Sequence, residues 1–378
     1  MLSEPARRQV TVIAHDSTDA RVLRRLRGLQ AAGVDVLCLS FRRSRGGRAH
    51  TLPVRNLDLG VTHDARYGHR LWAMARGMVT IWHARRLIAT TQRFYAVNAD
   101  SAILALAARR LSGSRAPLAV EIADVQRPML GRSARAVVLR ALERVVLRRS
   151  DLLVTSSPGF VRHYFGPVQG RDSDVFLLEN KVHPDPGFPS PADDPAGTGP
   201  WVVGWYGAFA CERSWRIVRD LAVQLDGVAE FHLHGFPTFT DGDTFRREIE
   251  AARGVSYIGA YTSPEDLPSV YGQSDFAWAI DFRDPEHNSR WCLPNRLYES
   301  AAAGVPVLAV RSTETGAWVE AHGSGRTFGE RLEAELLEFL RTVTIDDWRA
   351  MRRAVAAVPR ESVYGAGDYE ALLARLVP

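Results

Sequence analysis

The sequence predicts an α/β protein of two similar halves, each an open parallel sheet flanked by helices. Three observations predict it. Short β-branched apolar runs alternate with amphipathic stretches of helical length along nearly the whole chain, the pattern of strand–helix–strand units with short loops. Between His183 and Pro200 the alternation stops: six prolines and three glycines fall within 18 residues, the density of a linker rather than an element. Beyond Trp201 the alternation restarts. A length of 378 residues suits two or three domains at roughly 100–200 residues each.

The first half opens with a strand over residues 10–14 and a turn-rich loop from His15 to Asp19. A helix over 21–32 follows, with Val22, Leu26 and Leu29 on one stripe and Gly33 ending it. A strand over 34–39 completes one βαβ unit, which implies parallel pairing. Residues 67–90 read as helix, with Leu71, Trp72, Ala75, Val79 and Trp82 near one face and Arg70, Arg76, Arg85 and Arg86 beside it. That pattern fits either a crossover helix packed on the sheet or a helix lying on a membrane surface. Strands over 94–97, 118–122, 151–155 and 176–178 alternate with helices over 101–111 and 134–149, and Pro158 opens another helix at its first position.

In the second half, strands are expected over 201–206, 229–233, 255–258, 275–280 and 305–310. Helices are expected over 214–225, 245–252, 295–303, 332–340, 346–356 and 368–376, with residues 263–266 as a capping sequence for one more. The domain expectation is 1–182, a linker over 183–200, a second domain over 201–355, and a C-terminal helix in 356–378 that crosses back to the first.

Composition narrows the function. The chain is 46% hydrophobic and 24% charged, which excludes disordered and collagen-like classes. The three cysteines, Cys38, Cys211 and Cys292, are far apart and lack CxxC spacing, so neither a disulfide framework nor a zinc site is expected. No apolar run has the length of a membrane span, and the first apolar run is too short for a signal-peptide core; a cytoplasmic protein is the expectation. The net charge is +5, and all basic residues but Lys181 are arginine, the better fork for phosphate. The arginine runs are too short and scattered for a nucleic-acid footprint, so no nucleic-acid partner is expected.

Ligands of open parallel sheets bind beyond the C-terminal strand ends, here in a cleft between two facing sheets. Gly207 follows a strand and precedes a helix, so backbone there can approach a phosphate, and Arg213 at the start of that helix can fork a diphosphate oxygen. More specific is the run from Leu293 to Leu308, where a Pro294-Asn295 turn opens a helix carrying Glu299 and Gly304 returns it to a strand. A carboxylate there suits the vicinal hydroxyls of a sugar; equally, it complements the helix dipole. In the first half Asp124 lies at a strand end, where a loop aspartate can cap the next helix. His15, Asp16 and Asp100 lie at other strand ends and are weaker candidates for the same side of the site. Asp172-Ser173-Asp174 has DxD spacing but lies in an Asp-rich turn rather than after an apolar strand, and no metal site is expected.

Residues 294–299 (Pro-Asn-Arg-Leu-Tyr-Glu), with Ala303-Gly-Val-Pro-Val307, resemble the nucleotide-sugar signature of GT-B glycosyltransferases, especially glycosyltransferase family 4 and related bacterial polysaccharide enzymes. Residues 254–259, 263–267, Tyr271 and Ser274-Asp275 resemble the segment before it, and residues 19–36 and 151–157 resemble the family's first half. The resemblance implies a GT-B fold of two Rossmann-like domains and transfer of a sugar from a nucleotide diphosphate donor, a UDP-sugar, to a glycan or polyprenyl-linked acceptor. It implies no cofactor beyond that co-substrate. Glu299 matches the ribose-binding glutamate, Gly207 and Arg213 the diphosphate site, Asn295, Arg296 and Leu297 the turn over phosphates and sugar, and Asp124 the base of some inverting relatives. Two departures bear on the donor sugar and on retention. Trp291 stands where a second glutamate is frequent, and Ala208 and Phe209 stand where an arginine usually follows the glycine. A membrane-linked acceptor would place the enzyme peripherally on the inner face of an anionic membrane. Alternatives are a nucleotide-sugar epimerase of the same fold and a catalytically inactive, glycosyltransferase-like binding subunit.

Overall fold

The computed structural model describes residues 9–43, 52–62, 67–188 and 199–377. The chain divides into two compact units, one of residues 1–179 with 366–378 and one of residues 180–365. The division falls three residues before the expected boundary at 182, and residues 356–365 go with the second unit. Residues 189–198 of the Pro-rich stretch lie outside the described residues.

The first unit runs β1 (Gln9–Ala14), α1 (Ala20–Ala31), β2 (Asp35–Arg43), β3 (Arg55–Thr62), α2 (Tyr67–His83), α3 (Arg85–Ile88), β4 (Arg93–Val97), α4 (Ala99–Ser112), β5 (Leu118–Glu121), α5 (Arg127–Leu130), α6 (Ala134–Leu147), β6 (Leu152–Thr155), α7 (Pro158–Phe160), a π-helical continuation over Val161–Gln169, and β7 (Val175–Leu177). The sheet order is β3-β2-β1-β4-β5-β6-β7, with every pair parallel. β1, β4, β5 and β6 are buried almost throughout, as strands covered on both faces must be, and so read as continuous apolar runs. Asp19 caps α1 by accepting from the Arg21 N–H, and Ser133 and Ser157 do the same for α6 and α7. β3 is an addition to the sequence reading: its exposed edge position leaves it with little apolar alternation.

α2 packs on the sheet beside β3, one of the two expectations for it, but by another face than the one marked by its tryptophans. Its large apolar residues do not pack on the sheet: Trp72, Val79 and Trp82 are exposed. The buried face is Ala73, Gly77 and Ile81, with the Gly77 backbone close against Phe41 and Leu59. The small residues win the inward face because they bring the helix axis close to the sheet. Arg70 and Leu71, named above for this helix, have side chains outside the described residues.

The second unit runs β8 (Trp201–Phe209), α8 (Glu212–Gln224), β9 (Ala229–Pro237), α9 (Gly242–Glu250), β10 (Val255–Gly259), α10 (Leu267–Tyr271), β11 (Phe276–Trp278), α11 (Asn288–Trp291), α12 (Asn295–Ala302), β12 (Val307–Val310), α13 (Glu314–His322), β13 (Gly325–Phe328), α14 (Leu332–Thr342), α15 (Ile345–Ala356) and α16 (Arg360–Val363). Its sheet, β10-β9-β8-β11-β12-β13, is again parallel throughout. Residues 263–266 lead into α10 as expected, with Asp266 at the N-cap position, but its carboxylate accepts from the Thr262 N–H at 2.7 Å rather than capping the helix.

The last helix, α17 (Asp368–Arg375), belongs to the first unit. Tyr369, Leu372 and Leu376 pack with Val22, Leu26 and Leu29 of α1. Beneath them lies a buried ion pair. Arg25, 1% exposed, donates to Glu121 at 2.9 Å, to the Leu178 carbonyl at 3.0 Å and to the Tyr369 hydroxyl at 3.4 Å, while the Tyr95 hydroxyl donates to Glu121 at 2.6 Å. Burial opposes charge on Glu121, but Arg25 outweighs it and holds that carboxyl below its ordinary value.

Candidate active site

In the second unit the candidate residues gather around α12. Pro294 precedes it without a capping side chain, and its first turn holds no acid. The positive end of the helix is therefore not neutralised by an acid of its own first turn, a favourable place for an anion. Asn295 is exposed and Arg296 half-buried at this end, the latter with Nη1 3.5 Å from the Trp278 carbonyl. Leu297 differs from the expectation for a ligand contact. Its side chain is fully buried in the core and its N–H already donates to the Pro294 carbonyl at 3.1 Å.

Glu299 is the fifth residue of α12 and is buried, at 4% exposure. The Tyr271 hydroxyl donates to its Oε2 at 2.8 Å. Burial, then the Glu299 charge, hold the Tyr271 proton well beyond its ordinary range, so Tyr271 stays a donor. Tyr271 stacks on Tyr206 at 3.8 Å between ring centroids, and Tyr206 on His234 at 5.5 Å. Burial, with His232 adding to it, pulls the His234 ring down to about 4. An aromatic column thus braces the carboxylate from behind. A carboxylate has about four acceptor positions, and the Tyr271 bond takes one of them.

Gly207 corrects an expectation. It lies within β8, not in a turn after it, because the strand runs to Phe209 in register with β9. Its φ is +86°, and facing Gly235 has φ +151°; a Cβ on Gly235 would meet the Gly207 carbonyl oxygen at 1.8 Å. The glycine pair lets these strand ends approach, while space beside Gly207 itself stays open. Arg213, second in α8, is exposed, with its guanidinium 4.2 Å above the Phe282 ring and 3.6 Å from Glu333. Trp291 is a packing residue, 8% exposed and edge-on to His287, at the end of α11, whose start Asp284 and Ser289 organise.

In the first unit the candidates lie past the ends of β1, β4 and β5. His15 Nε2 is 3.2 Å from the Asp19 carboxylate, and its buried Nδ1 has no hydrogen-bond partner. Burial opposes ionisation of Asp19, but His15 and Arg21 outweigh it and hold its carboxyl well below the usual range. Arg21 also lies 3.5 Å from Asp124, whose side chain is 57% exposed. Asp124 does not cap α5, where Gln126 holds that position. Asp16 is buried and serves its own loop, accepting from the Thr18 N–H and hydroxyl. Asp100 sits in the first turn of α4. The structure therefore brings His15, Asp19, Arg21 and Asp124 into one chain of contacts. Sequence reasoning missed Tyr271 as the partner of Glu299 and Arg21 as the partner of Asp124.

The chain is similar to known proteins in sequence and in fold. Residues 18–181 match the glycosyl transferase 4-like domain. The succinoglycan biosynthesis protein ExoL of Rhizobium meliloti is 34% identical, over 97% of this chain and 93% of that protein. The chain belongs to the glycosyltransferase 4-like family. Among solved structures, Anabaena HepE in complex with UDP and glucose superposes with a TM-score of 0.72 at 15% identity, covering 97% of this chain and 99% of that one. Sucrose-phosphate synthase from Thermosynechococcus elongatus superposes with a TM-score of 0.69 at 15% identity, covering 97% and 98%. The glycosyltransferase thus has the GT-B fold, two α/β units each built on a parallel sheet. No helix among its described residues is long and apolar enough to cross a membrane.

Proposed function

We propose that this glycosyltransferase moves a hexose from a UDP-sugar to a glycan or polyprenyl-linked acceptor in the synthesis of a surface polysaccharide, working without a metal. The observation that carries the reading is Glu299, braced by Tyr271 in an α12 whose first turn holds no acid. A buried carboxylate held in one orientation suits the paired hydroxyls of a ribose, and the adjacent helix start suits a diphosphate. The complexes of HepE with UDP and with UDP-glucose support a UDP-sugar donor, and the name of ExoL supports a polysaccharide product.

In the reaction the acceptor oxygen bonds to the anomeric carbon as that carbon's bond to the diphosphate oxygen breaks. The electron pair leaves with the diphosphate, whose charge the α12 dipole and Arg213 stabilise. Asp124 takes the acceptor proton, with Arg21 3.5 Å from its carboxylate. The acceptor's lipid is held at the inner face of an anionic membrane, with α2 lying on the surface.

Incubation with labelled UDP-glucose, with and without a lipid-linked saccharide fraction, tests the reading. Label is expected in the saccharide only when both are present, and Asp124→Asn is expected to lower turnover about 100-fold or more. Free UDP and sugar released without acceptor would favour the epimerase alternative. UDP binding with no turnover on any acceptor would favour the inactive binding subunit.

A further inference from the structure

The exposed apolar surface of the protein is unevenly placed. Of the sixteen large apolar side chains exposed among the described residues, eight lie on α2, α4 and α6. Isolated exposed apolar residues are ordinary, whereas a cluster on neighbouring elements marks an interaction surface. These three helices are neighbours on one side of the first sheet, α4 in contact with both α2 and α6. On α2 the exposed residues are Trp72, Val79 and Trp82, and on α4 the residue is Ile103. On α6, Val138, Leu142 and Val145 recur at helical spacing with Val137 beside them, exposed by 45–57%.

The charge of the same layer is basic on balance, although Arg109 pairs with Asp151 and Arg140 and Arg144 donate to backbone carbonyls. Together with α3, these helices carry nine arginines against two acids, Asp100 and Glu143. Glu143 is buried, where it accepts from Tyr164 and Gln169, and so does not face out. Arg76 and Arg85 sit over the Trp72 and Trp82 rings at 5.7 and 4.3 Å. A cavity of about 330 Å³ between β3 and α2, lined by Trp72, Arg76, Thr80 and the Arg42–Asp58 pair, opens beside them.

We propose that α2, α4 and α6 together form one docking face for an anionic phospholipid bilayer. Tryptophan belongs at the interfacial depth, the aliphatic residues reach the acyl boundary, and the arginines meet lipid phosphates. The arginine excess disfavours a second copy of the same face as occupant, since like charges would oppose. The inference rests on the peripheral-membrane part of the function proposed above and extends it from one helix to three.

The test is flotation of the full chain with vesicles of phosphatidylcholine alone and with about 30% phosphatidylglycerol, at low and high salt. The protein is expected to float with anionic vesicles, not neutral ones, and to release as salt rises. Leu142→Asp with Val138→Asp on α6, and Trp72→Ser with Trp82→Ser on α2, should each lower partitioning about tenfold or more. Arg148→Glu with Arg149→Glu, exposed charges just past α6, does the same without touching the core should the aspartate variant fold poorly. Loss confined to the α2 variant overturns the three-helix face. Failure of the unaltered protein to float overturns membrane docking altogether. UDP binding, measured by calorimetry on each variant, is expected to stay unchanged and reports separately on the glycosyltransferase reading.

Discussion

Glu299 does its work through a neighbour. Tyr271 fixes one carboxylate oxygen, so Glu299→Gln, which still accepts from that hydroxyl, should fold normally while UDP affinity falls by about 1.5–3 kcal/mol, the value of a charged hydrogen bond. Glu299→Ala also strands the buried hydroxyl, and its melting temperature should drop with a loss of about 1–3 kcal/mol. The glutamate was legible from Pro294-Asn295 and the following helix. Its pairing was not, because Tyr271 lies 28 residues earlier and no local pattern links them. His234 gives a pH signature. Its ring titrates near 6.5 in an unfolded chain and at about 4 in the fold, so below pH 6.5 the unfolded state binds the extra proton. Stability should therefore fall as pH drops from 6.5 towards 4, and His234→Gln should flatten that limb in denaturant titrations.

At the scale of elements, α2 shows where periodicity runs out. Its sequence offers two faces, one of tryptophans and one of small residues, and size alone suggests the tryptophans pack inward. Close approach to Phe41 and Leu59 reverses that choice, because the helix sits where a Cβ at Gly77 would already meet the Phe41 ring at 3.2 Å. β3 was invisible for a related reason: an edge strand with half of its residues exposed and only Leu59 buried has no need of apolar alternation. α17 depends on another glycine. A Cβ at Gly28 would lie 2.1 Å from the Tyr369 ring, so Gly28→Ala must push the helix away. Thermal unfolding should report a loss of about 1–3 kcal/mol, with faster proteolysis at the C-terminus.

For the whole molecule, the return of α17 to the first unit ties the chain's end to the core of its beginning, through Arg25. Removing one member of a buried pair leaves the other uncompensated. Arg25→Met should cost about 3–5 kcal/mol, and adding Glu121→Leu should recover part of it, as read from denaturant midpoints. The two-half organisation was legible because parallel strands buried on both faces write themselves as apolar runs, and the Pro-rich break separates them. The ion pair was not legible: Arg25 and Glu121 stand 96 residues apart, each in an otherwise ordinary pattern. The central claim, that the second unit grips a nucleoside diphosphate through Glu299, is tested most directly by titrating UDP into the purified protein in a calorimeter. Saturable one-to-one binding, weakened about tenfold or more by Glu299→Gln at an unchanged melting temperature, is the predicted result. Equal affinity in the variant, or no heat from UDP at all, would contradict it.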